Sequence, residues 1–175
     1  MTQRDHPTVG RLAFYLIAAA AVTGAAAGWA FASGAAAWAT EELNLPGWMP
    51  PVNLLVWLWI AKTLLLAYTI WATERFGRPG WRWLAILTEL VLLAGTAVWV
   101  VLFLVLCDVT LGFLAIAAIW MVSIFAAWAA GKATRLAGVS LWPVLAWNTA
   151  LLALTFEIMR LNTGQVGQIA GFGLG

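Results

Sequence analysis

Five apolar runs of bilayer length dominate this sequence, and they leave a chain of this kind few ways to fold. In hydrocarbon every backbone N–H and C=O must be satisfied within the protein, so only helices and closed β-barrels can span. A barrel strand needs only about ten residues, whereas a helix needs about 20 to cross about 30 Å of hydrocarbon. These runs fit helices, at about 12–33, 51–72, 83–106, 109–130 and 136–161. The expected fold is an all-α membrane protein, a single-domain bundle of five transmembrane helices. Composition agrees, because 64% hydrophobic and 9% charged residues cannot cover a soluble globule with polar surface.

The breaks between the runs carry recognisable stop and start signals. The stretch from Leu43 to Trp59, LNLPGWMPPVNLLVWLW, packs prolines and tryptophans into the entry of the second run. Pro50 and Pro51 cannot lie inside a helix, but Pro51 suits a first turn, where a missing N–H leaves no bond unmade. Pro46, Gly47 and Trp48 then form an aromatic lip at the depth tryptophan prefers, between headgroup and acyl chain. Ser33 to Pro50 reads as a loop. Gly77, Pro79 and Gly80 break the chain before the third helix, and Asp108 is placed to cap the fourth. Pro143 removes one bond within the fifth and should bend it near Val139. The segment 163–175 is glycine-rich and reads as a flexible tail.

The first run could serve as a signal peptide, with Arg4 and Arg11 ahead of it and Ala35 to Ala37 after it. Its apolar core exceeds the length of a signal core, so it reads as a span. Along it Ala20, Gly24, Gly28 and Ala32 recur every four residues, a ridge on which a neighbouring helix of the same chain could pack closely.

Charge assigns the two ends. Arg4, Arg11, Arg75, Arg78, Arg82, Lys132 and Arg135 fall on the N-terminal side, and Arg160 alone lies near the other. The positive-inside rule puts the N-terminus in the cytoplasm and the C-terminus outside, in a bacterial cytoplasmic membrane. Three ionisable residues remain within spans, Lys62, Glu89 and Glu157. Each costs roughly 2.5 to 3.5 kcal/mol at a helix centre on insertion scales and so demands a partner, a cavity or a route to the interface. The expected arrangement pairs Lys62 with Glu89 or Glu157. A ligand-binding or proton-handling role is the alternative, and Lys62 could meet a ligand carboxylate instead.

Several functions have no basis in the residues. One cysteine, Cys107, permits no internal disulfide, and one histidine, His6, permits no histidine metal cluster. No Ser-His-Asp set, phosphate loop or catalytic carboxylate pair can be read, and nucleic acid is not an expected partner. The lack of a transmembrane histidine also argues against axial haem ligation.

Two proline-tryptophan motifs carry a resemblance. Pro46, Trp48, Pro50, Pro51 and Trp59 resemble the signature opening the second helix of the tryptophan-rich sensory protein or translocator protein family (TspO/MBR, the peripheral benzodiazepine receptor group). Pro143, Trp147, Leu154, Ile158, Leu161 and Asn162 match its fifth-helix pattern, and Thr96, Trp99 and Phe103 answer the third-helix pattern. Thus the resemblance spans about Leu43 to Asn162. The departures fall on polar positions: Leu45 replaces a lysine, Lys62 and Thr63 replace Leu-Tyr, Val144 a tyrosine, and Thr96 and Thr155 two asparagines.

What the resemblance implies is a pocket under the first loop for porphyrins, sterol-like molecules and other flat apolar ligands. Such a protein would act as sensor, carrier or scavenger, need no cofactor, and could break porphyrin down in light. Trp59 and Trp147 would supply stacking faces. The wider set expected at the site is Trp48, Pro50, Pro51, Trp59, Lys62, Thr96, Trp99, Trp147 and Thr155. The resemblance also implies a homodimer through the third helix, where Ala94, Gly95 and Ala97 permit close approach. Two other classes stay open. One is a small ion- or proton-coupled transporter using Lys62, Glu89 and Glu157, though no inverted repeat is visible. The other is an assembly partner of a larger complex in the lipid bilayer, docking through the first-helix ridge.

Overall fold

The computed structural model describes residues 9–163, all of whose regular structure is helical. Arg4, His6 and the glycine-rich tail from 164 onward lie outside the described residues. Five helical segments are long and apolar enough to cross a membrane, Val9–Ala32, Val52–Phe76, Pro79–Val105, Val109–Ala133 and Arg135–Asn162. The protein is a multi-pass membrane bundle of five spans.

In chain order the helices are α1 (Val9–Ala32), α2 (Ala35–Glu41), α3 (Val52–Phe76), α4 (Pro79–Val100), α5 (Val109–Ala133), α6 (Arg135–Ser140) and α7 (Trp142–Asn162). α5 packs most extensively, against α4 on one side and α7 on the other, while α1 packs on α3 and α4. With α3 touching α7, the spans close into a ring α1–α3–α7–α5–α4. The end bearing Arg11, Arg75, Arg78, Arg82, Lys132 and Arg135 is the basic end, and the opposite one the distal end.

Local chemistry sets most of the boundaries. Pro51 is the N-cap of α3, its carbonyl accepting from Leu54 N at 2.9 Å, so the helix opens one residue later than expected. The Asp108 carboxylate caps α5 by accepting from Thr110 N and Leu111 N, at 2.8 and 2.9 Å. Pro143 does more than bend the fifth span. The helix breaks at Leu141, and Pro143 sits in the first turn of α7, where its missing N–H leaves no bond unmade.

The segment from Ser33 to Pro50 is not wholly a loop. Gly34, at φ 76°, turns the chain after α1, and α2 follows. Residues Val101–Val105 wind as a π turn at the distal end of α4. Opposite them Gly112 lets α5 approach, because a Cβ there would lie 2.4 Å from Phe103 Cδ2.

The ridge on α1 does not serve a neighbouring helix. Ala20, Gly24, Gly28 and Ala32 are exposed, and the face turned to the bundle carries Ala19, Thr23, Ala26 and Ala30. Both faces of a membrane helix are apolar, so small-residue spacing alone does not say which one packs inward. Of the three small residues expected at a dimer face, Ala94 is exposed. Gly95 packs on Ile119 of α5, and Ala97 packs beside the Ala26, Ala30 and Val100 cluster.

Candidate ligand-binding cavity

A cavity of about 460 Å³ occupies the distal half of the ring, within the size range of small-molecule sites. Helix direction places its walls. The outer ends of α1 and α3 contribute Ala27, Ala30, Phe31, Val52, Leu55 and Val56, and α7 contributes Leu151, Leu154, Thr155 and Ile158. Val100, Phe103 and Leu104 come from α4 and its π turn, and the α2 segment with the loop after it closes over the top through Thr40, Leu43, Leu45 and Met49.

The inner end is aromatic. On α3, α4 and α7 the lining residues farthest from the distal end are Trp59, Trp99 and Trp147. All three indole nitrogens are buried and have no hydrogen-bond partner among the described residues. What the rings offer the open space is therefore carbon, suited to stacking on another flat apolar surface. From Trp99 an aromatic column climbs toward the mouth. Trp99 stacks on Phe103 with centroids 5.2 Å apart at 19°, and Phe103 meets Trp38 of α2 edge-on at 6.0 Å.

The loop over the mouth is fastened to α7. The Asn162 side chain accepts from Asn44 N at 2.9 Å and donates to Asn44 O at 3.0 Å. A turn closed by Met49 N donating to Pro46 O at 2.9 Å then points the chain into α3. Proline content at this entry restricts the backbone, and the reciprocal amide bond fixes where it lies.

Of the residues expected at the site, Trp59, Trp99, Trp147 and Thr155 line the cavity. Trp48 is 57% exposed and lies outside, as do Pro50 and Pro51, because the turn at Pro46 directs Met49 inward instead. Thr96 is buried one turn below Trp99 and satisfies its hydroxyl on Leu92 O at 3.0 Å. Lys62 lies below the cavity and does not line it. Sequence reasoning missed Leu43, Leu45 and Met49, whose apolar character in a loop was the available signal. It missed Asn148 and the roles of Trp38 and Asn44 as well.

The three intramembrane charges do not meet. Lys62 Nζ donates to Asn148 Oδ1 at 3.2 Å and pairs with no carboxylate among the described residues. Glu89, fully buried, accepts from Thr73 Oγ1 at 2.9 Å. Thr73 follows Lys62 by eleven residues on α3, about 16 Å along the axis, which puts Glu89 out of reach. Glu157 is bonded to Arg160 on the surface at the distal end, with Arg160 Nε donating to Oε2 at 2.9 Å. These separations correct the expected Lys62–Glu89 or Lys62–Glu157 pairing, since depth in the sequence fixes height but not the direction a side chain takes around its helix.

At the basic end, Glu74 holds α1 to α3 through an ion pair with Arg11 and a bond from Tyr15 Oη at 2.9 Å. Other buried hydroxyls, Thr23, Thr63 and Thr155 among them, donate to carbonyls in the preceding turn of their own helices. Thr155 lines the cavity with its hydroxyl hydrogen already engaged, and the space is left almost wholly apolar.

No curated protein matches the chain. The sequence model of the TspO/MBR family matches residues 15–161, from within the first span to the last turn of the fifth. This bundle, with its tryptophan-ended cavity beneath a fastened loop, belongs to the TspO/MBR family.

Proposed function

We propose that the protein binds a tetrapyrrole or similarly flat hydrophobic molecule in the distal cavity, as a sensor, carrier or scavenger. The observation that carries this reading is the set of three indoles at the inner end of an apolar space. Broad aromatic faces favour a planar guest, and walls almost free of polar groups favour one with little to solvate. Family membership supports the same class of ligand. Dark titration with protoporphyrin, read by quenching of tryptophan fluorescence, tests it. Saturable quenching weakened in Trp59→Phe and Trp147→Phe supports the proposal, and quenching that never saturates refutes it.

The basic end is assigned to the cytoplasm and the cavity mouth to the outside of a bacterial cytoplasmic membrane, on the positions of Arg11, Arg75, Arg78, Arg82, Lys132 and Arg135. A homodimer through α4 is part of the proposal, supported by the exposed Leu90, Val91, Ala94 and Val98. A monomer in both detergent and lipid would contradict it.

A further inference from the structure

We propose that the natural ligand of this cavity carries an acidic group, and that the hydrogen-bonded pair of Lys62 and Asn148 behind the tryptophans is the seat for it. This rests on the reading of the cavity as a small-molecule site and narrows the guest to an apolar acid. The first observation is an imbalance of donors over acceptors. Lys62 is 6% exposed, and the only acceptor its ammonium finds among the described residues is Asn148 Oδ1. That bond fixes the amide orientation, because turning it over would set an NH2 against the ammonium. Asn148 Nδ2 is left buried without an acceptor among the described residues, as are the indole nitrogens of Trp59, Trp99 and Trp147.

The second observation is position. Lys62 follows Trp59 by three residues and so starts about 5 Å further in on α3, while Asn148 follows Trp147 on α7, which runs the opposite way, and stands level with that indole. An aromatic plate stacked on the tryptophans needs an acidic arm only a few carbons long to reach the pair. The donors are closed off from solvent, so the acid enters as the indoles part around it.

The third is the absence of an internal carboxylate beside Lys62 among the described residues. Glu89 is bonded to Thr73 about 16 Å nearer the basic end, and Glu157 is taken by Arg160 at the distal surface. A buried ammonium held by one neutral acceptor is costly where an apolar residue would not be, and an incoming carboxylate offsets that cost with a charge-assisted bond.

The test uses full-length protein in lipid nanodiscs and two probes, 1-pyrenebutyrate and 1-pyrenebutanol, read by energy transfer from tryptophan and corrected with protein-free nanodiscs. The acid should bind about tenfold to a hundredfold more tightly than the alcohol. Lys62→Met should bring the affinity for the acid down to that for the alcohol. Asn148→Asp, which supplies Lys62 with an internal carboxylate and keeps a charged pair in place, should do the same. Equal binding of the two probes to the wild type, binding of neither, or a preference that survives Lys62→Met overturns the inference. Protoporphyrin and its dimethyl ester separate it from the broader reading. Pyrenebutyrate binding without porphyrin binding leaves the acid seat standing and removes the tetrapyrrole. Equal affinity for the porphyrin and its ester, unchanged by Lys62→Met, keeps the tetrapyrrole and removes the seat.

Discussion

Asn162, the last residue of α7, and Asn44, in the loop over the cavity, are joined by a reciprocal pair of hydrogen bonds across 118 positions of sequence. Asn162 Nδ2 also donates to Ile158 O at 2.7 Å, so the side chain is held by its own helix while it holds the loop. Both Asn44 groups are main-chain atoms, and the fastening therefore depends on the residue at 162 alone.

Replacing that residue should free the loop without unfolding the bundle. Asn162→Leu loses both bonds, at about 1 kcal/mol each. Amide exchange at Asn44 should rise at least tenfold, and a ligand held in the cavity should leave severalfold faster. Exchange mass spectrometry checks the first and stopped-flow dissociation the second. Unchanged exchange would show that the loop is held by something other than Asn162.

Gly112 governs the shape of the wall. A methyl group there meets Phe103 Cβ at 2.8 Å and Cγ at 2.9 Å, and Phe103 can yield only toward Trp99, Trp38 or the cavity. Gly112→Ala should cost about 1–3 kcal/mol in stability through overpacking. It should also weaken ligand binding more than a comparable loss of stability elsewhere does. Thermal unfolding in nanodiscs and a ligand titration measure the two effects.

The buried Glu89 depends on Thr73. Thr73→Val deprives the carboxyl group of the Thr73 hydroxyl donor and should destabilise the bundle by about 1–3 kcal/mol. Combined with Glu89→Leu the loss should be much smaller than the sum of the two single changes, since each removes the same bond. Additive losses in the double-mutant cycle would mean that the hydroxyl and carboxyl do not interact.

Cys107 gives a probe of the distal end. It is exposed, stands between the fourth and third spans in a left-handed conformation at φ 52°, and its thiol is pushed above the usual value by partial burial and by the negative charge of Glu42. The thiolate is the reactive form, so a raised pKa means less of it at neutral pH and a labelling rate that climbs as pH rises. Glu42→Gln should lower the pKa and speed maleimide labelling at fixed pH. On intact cells a membrane-impermeant maleimide should reach Cys107 from outside; labelling that requires permeabilisation would reverse the proposed orientation.

The five spans were legible because their lengths answer to bilayer thickness, and the helix starts at Pro51 and Asp108 because capping and proline chemistry are local, whereas at Pro143 a bend was legible and the break at Leu141 was not. Trp59, Trp99 and Trp147 were legible as a group through the family motifs. Helix α2 was hidden because its alanines sit after Gly34 in a segment flanked by breakers, and the π turn because Val-Leu-Phe-Leu-Val carries no signal for it. The outward face of α1 and the partner of Lys62 escaped for a shared reason. In a membrane, hydrophobicity no longer distinguishes inside from outside, so the rotation of each helix is set by packing with residues distant in sequence.

The most direct test of the cavity as the ligand site is fluorine NMR of protein labelled with fluorotryptophan, its resonances assigned by single Trp→Phe substitutions, before and after addition of protoporphyrin in the dark. Trp59, Trp99 and Trp147 should shift and saturate together, while the lipid-facing Trp83 and Trp142 stay in place. Shifts confined to Trp83 and Trp142, with the three inner tryptophans unmoved, would contradict the account.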